Sequence, residues 1–400
     1  MLNITGKITH FANPKANATH LLSDEQKDVV SIEKASVAIR DITAWPNYSI
    51  TPLHSLTSSA ESANVAAIWY KDESKRFGLK SFKALGGAYA VARQLQKKLA
   101  EMTGTSPTIT ALLEGHYEKE VAQLVVSCAT DGNHGRSVAW GAKMFGCGCV
   151  IYIHQDVSIG RMQAMQALGA QVIRITGNYD EAVDQADKDA KEHNRILVSD
   201  TSYEGYMEIP KDVVLGYTVM LAEVVEQLDH DIPTHVFIQG GVGGVASAVT
   251  GYFWDLWKTQ RPKIIVVEPE EANCLQLSAK AGKPTVIEGD LNTLMAGLAC
   301  GKVSDLAWKI LDTGVDDFLT LSEEAIPDTM RYLAKGYKED PAIEAGESAV
   351  PGLAALLIAR ASAQFSTDLK LDSTSKVLVI GTEGATDPEL YQQLISSDKN

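Results

Sequence analysis

The sequence has few cysteines, a deficit of basic residues and no long apolar run. Five cysteines in 400 residues is a sparse and odd set, which argues against a disulfide framework. Cys147 and Cys149 stand one residue apart with no second pair following them, so the spacing of a zinc knuckle is missing. The nine histidines form no HExxH pair, and no metal is expected. Cys274 and Cys300 bracket a stretch rich in small residues. In a reducing compartment they read as two free thiols, with a disulfide closing the segment as the alternative. Lys and Arg number 36 against 51 Asp and Glu, a formal charge of −15. Such a surface repels phosphate backbones and anionic lipid, which speaks against nucleic-acid and membrane-surface roles. No apolar run reaches the roughly 18 residues of a membrane helix. The amino end, MLNITGKITHFANPKANATH, carries no apolar signal core. A cytoplasmic protein is expected.

What is present is an average globular composition, with 45% apolar and 22% charged residues, in a chain long enough for two domains. Short β-branched runs alternate with helical stretches from about residue 120 onward. Strands are predicted over 122–129, 149–154, 171–176, 195–200, 234–239, 263–268 and 376–381, with an earlier one over 65–73. Helices are predicted over 81–102, 133–145, 158–168, 178–193, 212–228 and 243–258. Five- or six-residue apolar runs between helices point to parallel strands covered on both faces, hence an α/β chain. The stretch 103–120 reads as a loop or irregular helix. Residues 281–320 show weak periodicity and read as a mobile cover over a site.

Four constellations could carry chemistry. GGVGG (240–244) follows a strand and opens a helix, where converging N–H groups and the helix N-terminus suit a phosphate. Read as Gly241, Gly243 and Ala246, with Glu268 ending the next strand, the same run fits a dinucleotide fingerprint and a nicotinamide-dependent dehydrogenase. In KSFKALGGAYA (80–90), Lys83 opens a helix among Ser, Phe and small residues. Such surroundings disfavour the ammonium form and raise nucleophilicity toward an aldehyde. Lys71, Lys75 and Lys80 lie nearby and show that lysine is common here. In SCATDGNHGRSVAWGA (127–142), Asn133 and His134 sit where a turn meets a helix. Free N–H groups there could hold a carboxylate, while Asp131 could be a helix cap. The fourth is GTEGATD (381–387) after the last strand, with Thr382 as either a cap or a ligand.

Together, RFGLKSFKALGGAYA (76–90), CATDGNHGRSVAWGAKMFGC (128–147), SDTSYEGYMEIP (199–210) and GTEGATD resemble the fold-type II pyridoxal-phosphate enzymes. Within that group they resemble the diaminopropionate ammonia-lyases. The resemblance runs from about residue 40 to 395. It implies two open twisted, mostly parallel sheets flanked by helices, with the active site between the domains. On this basis the large domain is placed at 1–87 and 206–400, carrying Lys83 and the glycine loop, and the small domain at 88–205. The cofactor implied is pyridoxal 5'-phosphate. Lys83 would form its Schiff base, Gly240, Gly241, Val242, Gly243 and Gly244 would hold its phosphate, Asn133 its ring hydroxyl and Thr382 its pyridine nitrogen. Thr130 and His134 would hold the substrate carboxylate. A homodimer acting on a small amino-acid substrate is implied as well.

Fold-type II dehydratases generally carry small neutral residues before Gly-Asn-His, whereas this chain has Asp131 there. A carboxylate beside the substrate's β-carbon suits an amine better than a hydroxyl. Asp200, at the end of the 195–200 strand, is a second acidic group with a substrate role by resemblance, or else a strand-end cap. The implied reaction is α,β-elimination from 2,3-diaminopropionate to pyruvate and two ammonia, with Lys83 as base for the L isomer and Asp131 for the D isomer. A threonine or serine dehydratase of the same fold is the alternative, and a binding protein that has kept only the fold is another.

Overall fold

Contiguous apolar runs do become parallel strands in this protein. The computed structural model describes residues 4–130, 132–289 and 291–396, excepting the side chain of Asp180. Contacts divide the chain into two units. The first comprises Met1–Ile32, Ile50–Ser81 and Met220–Asn400, and the second Glu33–Ser49 and Phe82–Val219. Lys83 therefore groups with the second unit, whereas the sequence partition carried the first domain to residue 87.

The first unit is built on a seven-stranded sheet. Its strands are β1 (Ile8–Ala12), β2 (Leu53–Ser55) and β3 (Ala67–Asp72) from the front of the chain. The second unit contributes the next four in sequence, β4 (Val125–Ala129), β5 (Gly148–Ile153), β6 (Gln171–Arg174) and β7 (Ile196–Leu197). The first sheet is completed by β8 (His235–Gln239), β9 (Lys263–Pro269), β10 (Asp317–Leu321) and β11 (Lys376–Gly381). Its order is β1-β10-β9-β8-β11-β3-β2. The five inner strands pair in parallel and both edge strands antiparallel. All five residues of β8 are buried, as befits a strand covered on both faces. Phe237, Ile265, Val267, Leu319, Val377 and Val379 meet the helix Pro351–Ala361 in one apolar core.

The stretch 281–320, read from its pattern as a cover, includes regular structure in its second half. It contains the helix Asp305–Gly314 and all but the last residue of β10, an inner strand between β1 and β9. Two acidic residues at the start of β10 obscure its apolar run. Asp316 is held by Arg261 at 2.7 Å and Asp317 by Lys263 at 2.7 Å, so neither charge is left unpaired.

The second unit has a four-stranded parallel sheet, ordered β6-β5-β4-β7. Its helices Lys83–Thr103 and Asn133–Phe145 pack at short range. A Cβ on Gly141 would lie 2.8 Å from Ala88 Cα, and one on Gly87 would lie 2.5 Å from Ser137 Oγ. Ser137 Oγ accepts the Ala88 N–H at 3.0 Å, so the crossing is also hydrogen-bonded. No described helix is long and apolar enough to cross a membrane.

Candidate active site

Lys83 is the first residue of its helix, and the preceding Phe82 offers no capping side chain. Its ammonium pairs with Asp200 Oδ2 and lies 5.7 Å from the Phe82 ring centroid. Phe82 in turn packs on Tyr217 with centroids 4.7 Å apart. Burial pushes the Tyr217 phenol up, with Lys83 working against it. Burial alone would also raise the Asp200 carboxyl. The Lys83 ammonium outweighs that and holds it well below the usual carboxylate range.

Asp200 follows β7 on a short irregular segment. Tyr206 clamps this segment, since its hydroxyl accepts the Ser199 N–H at 2.9 Å and donates to the Leu197 carbonyl at 2.8 Å. Its ring stacks on Tyr203 at 5.1 Å. Neither Tyr206 nor Tyr217 stands out in the sequence. Tyr206 lies inside the SDTSYEGYMEIP motif, and Tyr217 reads there as one more apolar residue of a buried helix.

The turn before the helix Asn133–Phe145 is organised by Thr130. Its Oγ1 accepts the N–H groups of Gly132 at 3.0 Å and Gly135 at 3.1 Å, which leaves the hydroxyl hydrogen to a ligand. Asn133 is half-buried at the helix start. His134 is buried; its Nε2 lies 2.8 Å from the Val198 carbonyl and its Nδ1 3.8 Å from Asp200 Oδ2. Lys83, Thr130, Asn133, His134 and Asp200 thus share the second unit. Asp131 lies outside the described residues.

The glycine loop and Thr382 belong to the first unit. Gly241 and Gly243 take φ of 62° and 96°, values that favour glycine. A Cβ at Gly243 would also lie 2.8 Å from Leu311 Cδ1. The Val242 carbonyl accepts the Ser304 N–H at 2.9 Å. The helix Gly244–Trp257 that follows has no side-chain cap, so its first-turn N–H groups point outward without intrahelical acceptors. Such a cradle fits a phosphate. Thr382, directly after β11, donates from Oγ1 to the Ser348 carbonyl at 3.0 Å.

Glu268 does not serve the dinucleotide reading. Its two oxygens accept the N–H groups of Leu275 and Gln276, each at 2.8 Å, so the carboxyl caps the helix Cys274–Ala281. Full burial pushes it up to about 8. The side chain is fully buried, so a ribose could not reach it. Cys274 is buried and Cys300 half-buried, and Cys274 Sγ lies 3.6 Å from the Gly241 carbonyl. Among the described residues, no cluster of three or more His, Cys, Asp or Glu side chains could hold a metal.

The second unit thus carries an amine at a helix start, and the first carries a glycine loop that fits a phosphate. Comparison with known proteins agrees. The family model of the pyridoxal-phosphate-dependent enzymes matches residues 44–382. The chain is 37% identical over 359 residues to the diaminopropionate ammonia-lyase of Salmonella typhimurium, covering 88% of this chain and 89% of that one. It is similar to a structure of diaminopropionate ammonia-lyase from Escherichia coli with an aminoacrylate–PLP azomethine reaction intermediate. That match has a TM-score of 0.87 and 35% identity, and covers 98% of this chain and 97% of the other. A structure of the same Escherichia coli enzyme with D-serine gives a TM-score of 0.89 at 34% identity, with the same coverage. The chain therefore belongs to the pyridoxal-phosphate-dependent enzymes, and among them to the diaminopropionate ammonia-lyases.

Proposed function

We propose that this enzyme expels ammonia from the β-carbon of 2,3-diaminopropionate, in both its D and L isomers, and that the product hydrolyses to pyruvate and a second ammonia. The observation that carries this reading is the ion pair between Lys83 and the part-buried Asp200. Once Lys83 is committed to the cofactor, Asp200 is deprived of that cation. A carboxylate removed from water without a counter-ion is disfavoured by several kcal/mol. A substrate bearing a β-ammonium restores the pair, whereas the β-hydroxyl of serine or threonine does not.

Pyridoxal phosphate, when bound, supplies the electron sink for the α-carbon. Lys83 would carry its aldehyde, Gly240–Gly244 its phosphate, Asn133 its ring hydroxyl and Thr382 its ring nitrogen. To donate to that nitrogen, Thr382 must rotate its hydrogen away from Ser348. The Thr130 hydroxyl and the backbone N–H of His134 hold the substrate carboxylate. The freed Lys83 amine takes the α-proton of the L isomer. Asp131 takes that of the D isomer, an assignment that rests on the family resemblance. In this reading the enzyme works as a cytoplasmic homodimer.

The test is release of ammonia and pyruvate from D- and L-2,3-diaminopropionate, with D- and L-serine as controls. Turnover of both diamino isomers well ahead of serine is expected. Preference for serine would replace this reading with a hydroxyamino-acid dehydratase.

A further inference from the structure

Asp200 is not the only acceptor at the place where the β-amine would bind. His134 Nε2 lies 2.8 Å from the Val198 carbonyl, and a carbonyl oxygen only accepts, so Nε2 bears the hydrogen. A neutral imidazole has one N–H, which leaves a bare lone pair on Nδ1. Burial pushes the ring's pKa down, with the Asp200 carboxylate working against it, so the neutral form is retained. Nδ1 is buried, has no hydrogen-bond partner among the described residues, and stands 3.8 Å from Asp200 Oδ2. Two acceptors at this separation cannot bond to each other. A single donor with at least two hydrogens satisfies both.

We propose that His134 Nδ1 and the Asp200 carboxylate form a two-acceptor seat for the substrate's β-ammonium, which makes His134 a specificity-determining residue. This rests on the reading of the enzyme as a diaminopropionate lyase. An ammonium brings three hydrogens and can serve both acceptors. A hydroxyl brings one and leaves a buried acceptor unsatisfied. The seat also keeps the amine protonated at the moment it leaves. The Cβ–N bond then breaks with its electron pair going to nitrogen, which departs as neutral ammonia. The pair from the Cα–H bond forms the Cα=Cβ bond, and the α-proton goes to the base. The carboxylate-binding role of His134 uses its backbone N–H, so the two roles do not compete.

Two variants separate the acceptor from the clamp on Val198. His134→Gln can keep a donor for the Val198 carbonyl but offers no acceptor at the Nδ1 position. His134→Asn can keep that acceptor but loses the clamp. The measurements are kcat/KM for 2,3-diaminopropionate and the inhibition constant of D-serine. For His134→Gln, kcat/KM should fall about tenfold or more while the D-serine constant moves about twofold or less. His134→Asn should keep most of the wild-type ratio. Equal losses on the two ligands in His134→Gln, or an unchanged ratio, would overturn the proposal. Independently of activity, imidazole ¹⁵N NMR of the enzyme with and without cofactor should show the Nε2-protonated tautomer for His134. A ring protonated on Nδ1 would also overturn it, whether or not the variants fold. Failure of the wild-type enzyme to act on diaminopropionate would instead sink the underlying reading of the substrate.

Discussion

Lys71 and Lys83 are twelve residues apart, and each makes an ion pair with a carboxylate, yet they are held in opposite ways. Lys71 is fully enclosed, and its three hydrogens go to the Thr51 carbonyl at 2.8 Å, Glu223 Oε2 at 2.7 Å and Gln227 Oε1 at 2.8 Å. Glu223 is shared with Arg76 at 2.7 Å, and Arg76 also pairs with Glu73 at 2.9 Å. Two cations and two carboxylates thus compensate one another inside the first unit. Burial lowers the Lys71 pKa, with Glu73 and Glu223 opposing it. Lys83 opens a helix, with its side chain 24% exposed and paired to Asp200. A nucleophile must be able to leave its counter-ion. Lys71 has every hydrogen fixed by the fold and cannot, so charge and burial alone do not make a lysine reactive.

The strongest way to break this comparison is Lys83→Ala. It should abolish turnover, by about 10³-fold or more, and remove the visible Schiff-base absorbance. An intact yellow chromophore in this variant would contradict the assignment. Glu223→Ala should do the converse. Removing one partner from a buried ionic network costs about 3–5 kcal/mol, read by urea unfolding. A loss below about 1 kcal/mol would show that the Lys71 network is not the rigid element described.

Asp200→Asn tests the other half of the comparison. Losing the charge-assisted contact should lower kcat/KM for diaminopropionate about 10- to 100-fold. The pH dependence has a definite sign. The folded Asp200 pKa is depressed below the usual range, so its ion pair stabilises the protein above the unfolded value of about 3.9. That stability is lost as pH falls through the folded value. The cofactor-free wild type and Asp200→Asn should therefore differ in thermal midpoint at pH 7 and converge progressively as pH falls from about 4 toward the depressed folded value. Convergence on the alkaline side would contradict the pairing. The smallest effect is expected for Tyr206→Phe, which frees the segment carrying Asp200. About a three- to tenfold fall in kcat is expected with roughly 1 kcal/mol of stability lost. An unchanged kcat would mean that Asp200 is held by other contacts.

Much of this architecture was legible because parallel strands buried on both faces are written as unbroken apolar runs. β8, β9 and β11 lie within a residue of the predicted 234–239, 263–268 and 376–381. The helix Asn133–Phe145 falls on the predicted bounds, since Gly132 precedes it and Gly146 ends it. β10 was not legible, because Asp316 and Asp317 break its pattern and find their cations in Arg261, just before β9, and Lys263, its first residue. β1 was missed for a related reason. Its sequence ITHFA places His10 against Asp317 at 2.8 Å, a partner 307 residues away. At the site, Lys83, Asn133 and Thr382 were singled out by motif. The tautomer of His134 and the clamp by Tyr206 were not, because each depends on a carbonyl or amide supplied by another segment. No periodicity encodes such a contact. Glu268 shows the reverse, since its distance from the glycine loop matched a dinucleotide fingerprint while its oxygens cap a helix.

The close crossing of the helices Lys83–Thr103 and Asn133–Phe145 bears on how this enzyme could be altered by laboratory evolution. Both helices begin at residues proposed to hold the cofactor, and their close approach rests on Gly87, Gly141 and Ser137. A methyl group added at the crossing would splay the helices and move both starting residues together, so such variants should drop out of any library selected for activity. Diversity aimed at new β-substituents belongs at His134, Asp200 and the segment behind Tyr206, where a side chain can change without disturbing that crossing.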